Sequence, residues 1–155
     1  MTNGHTSASD NFAVKDYLLS LLQALDGVEQ SLKYHPESDA LYHSLQVFEL
    51  ALNNSDDKQL WLAALLHDVG KSVDSKRHAV IGADMVRGVV DERVCWLIEH
   101  HLDLLLNPAA TRQRLQNTQQ LADLTQLRNW DLGGRKTDAQ VCSAKQALDK
   151  IFPNH

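Results

Sequence analysis

Apolar residues recur along this chain at the three- and four-residue spacing of helices, and no stretch alternates strictly between apolar and polar in the manner of a half-buried strand. From Phe12 the positions Val14, Leu18, Leu21, Leu22 and Leu25 predict one amphipathic helix that fades near Gly27. A turn at His35-Pro36 follows. Ser38 or Asp39 caps a second helix to about Asn53, with Ala40, Leu41, Leu45, Phe48 and Leu52 as its apolar positions. Asp56 or Asp57 opens a third. Its residues from Leu60 to Leu66 carry no charge, so it is apolar on nearly every side and belongs in the middle of the protein, with Gly70 marking its end. After the polar link SVDSK, helices are predicted from about Lys76 to Gly88 and from Asp91 toward Leu106, where Asn107-Pro108 breaks the pattern. Residues 108 to 117 form a polar, partly helical connection. Gln119 to Trp130 and Asp138 to Phe152 complete an all-α chain, a compact single-domain bundle of about six to seven helices spanning residues 12–155 behind a flexible leader, residues 1–11.

Composition narrows the function classes. At 155 residues, 43% hydrophobic and 23% charged, the chain has enough apolar residues for one sizeable core. A formal charge of -5 disfavours nucleic acid as a partner, because sequence-independent binding needs a basic face. No apolar run reaches the ~20 residues of a membrane span, and MTNGHTSASD has no signal-peptide core, so the cytoplasm is the expected location. Cys95 and Cys142 fall in helical patterns without CxxC spacing, which reads as two buried thiols.

The chemistry gathers where the apolar helix ends. In LWLAALLHDVGK, His67 falls in line with Leu60, Ala63 and Ala64, and Asp68 with Trp61, Ala64 and Leu65, so both side chains point into packing. A carboxylate there needs a cation, and the neighbouring imidazole suits a transition metal; a buried His-Asp hydrogen bond is the plainer alternative. Other ligand-type residues also fall on inward faces. His43 shares its side with Ala40, Val47 and Leu50, and His78 with Ile81, Gly82 and Met85. Within EHHLDL, His101 shares a side with Val94, Leu97 and Ile98, whereas His100 goes with Arg93, Trp96 and Asp103. Asp131 lines up with Leu124 and Leu127, while Asp123 lies among Gln119, Gln120 and Gln126. Singly, each reads as a hydrogen-bonded core residue. Together, four imidazoles and two carboxylates are a heavy polar load for one small core, and metal coordination satisfies them at once. Such a nitrogen and oxygen donor set, without cysteine, suits Mn, Fe, Co, Ni or Zn, with Mg also admitted.

The order His43, His67-Asp68, Asp131 resembles the H...HD...D signature of the HD-domain superfamily of metal-dependent phosphohydrolases. LLHDVGK is close to that family's central motif, and RHAVIGADMV and IEHHLDLL resemble the extra histidines of members that bind a second metal. WDLGGR is similar to the corresponding stretch of the HD domain attached to some bacterial CCA-adding enzymes. The resemblance runs from about Ser38 to Arg135. It implies an HD-domain-like fold, one or two divalent ions, the first on His43, His67, Asp68 and Asp131 and, where a second binds, that one on His78 and His101 with Asp68 as the bridge, and hydrolysis of a phosphoester of a small substrate such as a nucleotide by a metal-activated water. The chain is too short to hold a nucleotidyltransferase part and lacks the GYP-type motif of cyclic-dinucleotide hydrolases, so neither of those activities is carried over. HD-type di-iron oxygenases share the same ligand set, and a regulatory module that binds metal or nucleotide without turnover is a third reading.

Around such a centre, Lys71, just past the metal-bearing helix end, is a phosphate contact or simply a cation at a helix C-terminus. Arg135, one turn after Asp131, is the next phosphate candidate, ahead of Lys76 and Arg77. Trp61, Trp96 and Trp130 are read as core, and His5, His35 and His155 as loop or terminal residues without function. Leu102, Leu104, Leu105 and Leu106 make their helix end apolar almost all round, which calls for cover by residues 108–117 or by a second subunit, a homo-oligomer.

Overall fold

Five of the helix starts are written in the sequence as side chains that can take up an orphan N–H. Asp39 accepts from Tyr42 N, Asp57 from Gln59 N, Asp91 from Arg93 N and Thr118 from Leu121 N, and Ser143 forms a reciprocal capping box with Gln146. A computed structural model describes residues 8–153, with side chains from residue 11, and is all-helical, without a β-strand among the described residues. The helices run α1 (Ala8–Gln23), α2 (Ala40–Asn54), α3 (Lys58–Leu66), α4 (His78–Val86), α5 (Glu92–His100), α6 (Asp103–Leu106), α7 (Pro108–Arg114), α8 (Gln119–Gly133) and α9 (Ala144–Ile151), with a 3-10 turn at Val69–Ser72. None is long and apolar enough to cross a membrane.

The elements are more numerous and shorter than the pattern implies. Helix α1 starts at Ala8, four residues ahead of Phe12 and inside the expected leader; residues 1–7, His5 among them, and His155 lie outside the described residues. The helix expected from Asp91 to Leu106 stops at His100 and resumes at Asp103, and the last helix begins at Ala144 rather than Asp138. Cys142 accordingly sits half-buried in an extended link, while Cys95 is buried in α5 and its Sγ donates to Ala83 O.

Helix α3 is the centre of the packing, against α2, α5 and α8, and its leucines join Phe48, Leu97, Ile98, Leu124 and Leu127 in one apolar cluster. Of the three tryptophans only Trp130 is buried; Trp61 and Trp96 pack against the core from its edge. Asp123, expected among exposed glutamines, is only 1% exposed. Arg93 of α5 clamps it with two bonds of 2.9 and 3.0 Å and also reaches Asp57 at 2.8 Å, which ties α8 to the start of α3.

Two close backbone approaches set the site. A Cβ on Gly70 would stand 2.1 Å from His78 O and 2.8 Å from Gly82 N, so only glycine lets the 3-10 turn lie directly against α4. A Cβ on Gly134 would stand 2.8 Å from Val47 Cγ2 and 3.1 Å from Val47 N, and this contact brings the end of α8 onto α2.

Candidate metal centre

The apolar run of α3 ends at Leu66, and His67 and Asp68 follow as its C-cap and the entry to the 3-10 turn. Leaving the helix here turns Asp68 toward α4 and α5 instead of stacking it beneath Ala64. Helix α2 supplies His43, the first residue of α4 is His78, the C-cap of α5 is His101, and α8 carries Asp131 inside its last turn. All six residues are at most 8% exposed.

The four imidazoles are oriented alike. Each Nδ1 bonds to a main-chain carbonyl: His43 to Gly134 O at 2.7 Å, His67 to Ala64 O at 2.7 Å, His78 to Ser75 O at 2.8 Å and His101 to Ile98 O at 2.7 Å. A carbonyl only accepts, so each Nδ1 carries hydrogen, and Nε2 is the ring atom whose lone pair, once deprotonated, can face a cation. All four Nε2 atoms converge on the carboxylates. Asp68 Oδ2 lies 3.3 Å from His67 Nε2 and 3.8 Å from His43 Nε2, while its Oδ1 lies 3.2 Å from His78 Nε2 and 3.5 Å from His101 Nε2. Asp131 Oδ1 stands 2.7 Å from His43 Nε2 and 3.5 Å from His67 Nε2. The result is two triads, His43–His67–Asp68 and Asp68–His78–His101, each with its ligand atoms within 4.8 Å of one another and with Asp68 in common.

Without a metal, protons on the imidazoles balance the carboxylates around the first triad. Burial opposes protonation of His43, yet bonds to Asp131 and Glu37 carry its pKa up to about 9; burial likewise opposes His67, which Asp68 and Asp131 raise to about 10. Burial would raise both aspartates, but the imidazoles, His67 first for Asp68 and His43 first for Asp131, hold them well below the usual carboxylate range. At the second triad, burial pushes His101 down. His67 Nε2 is buried and has no hydrogen-bond partner. An orphaned ring nitrogen aimed between two carboxylates, four imidazoles pinned through Nδ1 and a sulfur-free donor set are what a divalent transition ion requires, so the residues fit such an ion.

The cluster forms the floor of a pocket of about 810 Å3, reached by Asp68, His78, His101 and Asp131. Lys71 lines it, 3.3 Å from Asp68 Oδ2 and hydrogen-bonded to Gln30 Oε1. Arg135 also lines it, 3.9 Å from Asp131 Oδ1 with Nη1 on Tyr34 O at 3.0 Å. Lys76 and Arg77 do not line it, and His100 turns away to stack on Trp96 at 4.4 Å and bond Asp103.

Among the pocket residues that escaped the sequence reading, Arg128 and His35 stand next to the cluster. Arg128, 3.8 Å from Asp131 Oδ2, lies three positions before it, so helical spacing alone could have found it. His35, read as an idle loop residue, lines the pocket with its ring edge-on to His43 at 4.9 Å and its Nδ1 on the buried Glu37 at 3.0 Å. Burial and then Lys71 hold its pKa below the usual histidine value. No periodicity marks residues 31–38, so nothing in the pattern pointed to it.

Comparison with known proteins covers the same residues. The model of the HD domain matches residues 40–135. Relatives include the multifunctional CCA proteins of Hahella chejuensis, 36% identical over 89 residues, which are 53% of this chain and 21% of that protein, and of Nitrosococcus oceani, 48% identical over 50 residues, 32% and 12%. That of Psychromonas ingrahamii is 30% identical over 96 residues, 52% of this chain and 24% of the relative. The matched stretch is thus no more than about a quarter of these relatives' length.

Proposed function

The chain belongs to the HD-domain family, and from that premise we propose that it hydrolyses a phosphoester of a small substrate such as a nucleotide, with His43, His67, Asp68 and Asp131 holding one divalent ion and Asp68, His78 and His101 a second. The observation that carries the reading is the division of Asp68: one oxygen faces each histidine pair, at the floor of a pocket edged by Lys71, Arg128 and Arg135. Bound divalent ions supply a water acidified toward neutral pH and take up phosphoryl charge.

The protein's own groups do the rest. Lys71, Arg128 and Arg135 already lean on Asp68 and Asp131, so a phosphoryl group entering above these carboxylates meets ammonium and guanidinium donors on one side. The Nδ1 bonds hold the four rings in one tautomer and orientation. Gln30 holds Lys71, and the Tyr34 carbonyl holds Arg135, which limits the freedom lost when substrate binds.

Phosphate release from a panel of phosphoesters, with Mn, Co, Ni, Zn, Mg or Fe supplied, tests the activity. Turnover that disappears in Asp68→Ala, with the helical circular dichroism retained, is expected; no release with any metal would contradict it.

A further inference from the structure

The pocket is polarised. Its cations all stand by the first triad: Arg128 and Arg135 within 3.9 Å of Asp131, and Lys71 at 3.3 Å from the Asp68 oxygen that faces His43 and His67. The wall that follows His101 of the second triad is different. Leu102, Leu105 and Leu106 line it, with Val28 from the loop after α1 also apolar. Leu105 is 50% exposed and Leu106 66%, an apolar pair left in water at the pocket edge, while Leu104 just before them is buried. Helix α7 therefore covers only part of this stretch, and the leucines that face the pocket stay open.

Size points the same way. A cavity of about 810 Å3 is in the range that takes a whole small organic molecule, far more than a phosphoryl group fills. Resting on the phosphohydrolase reading, we infer that the ester group of the substrate is apolar or aromatic and lies along Leu102, Leu105 and Leu106, with its phosphoryl end at Lys71, Arg128 and Arg135. Phosphorylated polyols and inorganic polyphosphates, which have nothing to place on that wall, are poor substrates. Leu105 and Leu106 then determine specificity without touching the reacting atoms.

Binding of a series of n-alkylphosphonates to the manganese-loaded protein, followed by calorimetry, tests this without requiring turnover. Because each methylene buried against the wall contributes up to the full transfer value, affinity is expected to rise about two- to fourfold per added methylene until the wall is covered. The double variant Leu105→Ser, Leu106→Ser should flatten that dependence, and since both residues are exposed the core is unaffected. Affinity independent of chain length, or a dependence that the variant leaves intact, would overturn the inference. So would a dimer that the variant splits while phosphonate affinity stays flat, since the leucines would then cover a second copy. Chain-length-dependent binding without hydrolysis of the matching alkyl phosphates would instead overturn the hydrolase reading and leave the assignment of the wall standing.

Discussion

The Nε2 atoms of His78 and His101 face each other at 3.1 Å, and the Nδ1 of each ring is committed to a carbonyl. Two lone pairs at that separation repel unless a proton or a cation lies with them, and Asp68 Oδ1 is within 3.5 Å of both. His78→Ala should therefore remove one bound ion and leave the other on His43, His67, Asp68 and Asp131. Metal counting on the purified variant checks this; loss of both ions would mean that the triads do not bind separately.

The protonation pattern gives a pH dependence with a definite sign. His43 and His67 are raised to about 9 and about 10 by Asp131 and Asp68, so in the metal-free protein their contribution to stability is full below the ordinary histidine pKa and is lost as pH rises through 9 to 10. Asp68 and Asp131 are depressed, so their contribution is present above the ordinary carboxylate pKa and is lost as pH falls toward their lowered values. Chelator-treated protein should melt several degrees lower at pH 9.5 than at pH 6.5. A divalent ion replaces the protons on His43 and His67, so the stabilisation it gives should grow over the same interval. Scanning calorimetry at both pH values, with and without manganese, measures this; a metal effect that shrinks with rising pH is the contrary result.

Gly70→Ala tests how the 3-10 turn is seated. The added carbon meets His78 O and Gly82 N, which are backbone atoms of α4 and cannot rotate aside. A loss of about 2 to 3 kcal/mol in urea unfolding is expected. The second ion should be lost as well, because His78 begins the helix that has to move.

Lys71→Met and Arg128→Met remove pocket cations and leave all six proposed ligands in place. Each should lower kcat/KM about 10- to 100-fold, the range for a bond to a charged group, with metal content unchanged. Metal content falling with activity would show that these cations hold the centre together and do not act on substrate.

Asp123→Ala and Arg93→Ala separate stability from function. Arg93→Ala leaves the Asp123 carboxylate, 2% exposed at its side chain, without its cation, and should cost about 3 kcal/mol with the metal count retained. Asp123→Ala should cost less, because Arg93 keeps Asp57 and is itself 29% exposed.

How far the sequence carried the structure depends on whether periodicity or chain direction was at stake. Inward faces follow from spacing, so His43, His78, His101 and Asp131 could be placed before any coordinates. Asp123 could not, since its burial depends on Arg93 arriving from another helix, and side-chain spacing on α8 alone put it among glutamines. Helix interruptions were equally hidden. His101-Leu102 carries no glycine or proline, yet the chain turns there, with the His101 N–H and Nδ1 both turned back onto Ile98 O. His35 lay in a segment shaped by local turns and by Glu37, where no repeat marks a face.

Counting bound metal in wild type and Asp68→Ala tests the central claim most directly. Two divalent ions per chain in wild type after manganese titration, and none retained by the variant, is the expected result. A wild type that takes up no ion, or an Asp68→Ala protein that keeps both, would contradict it.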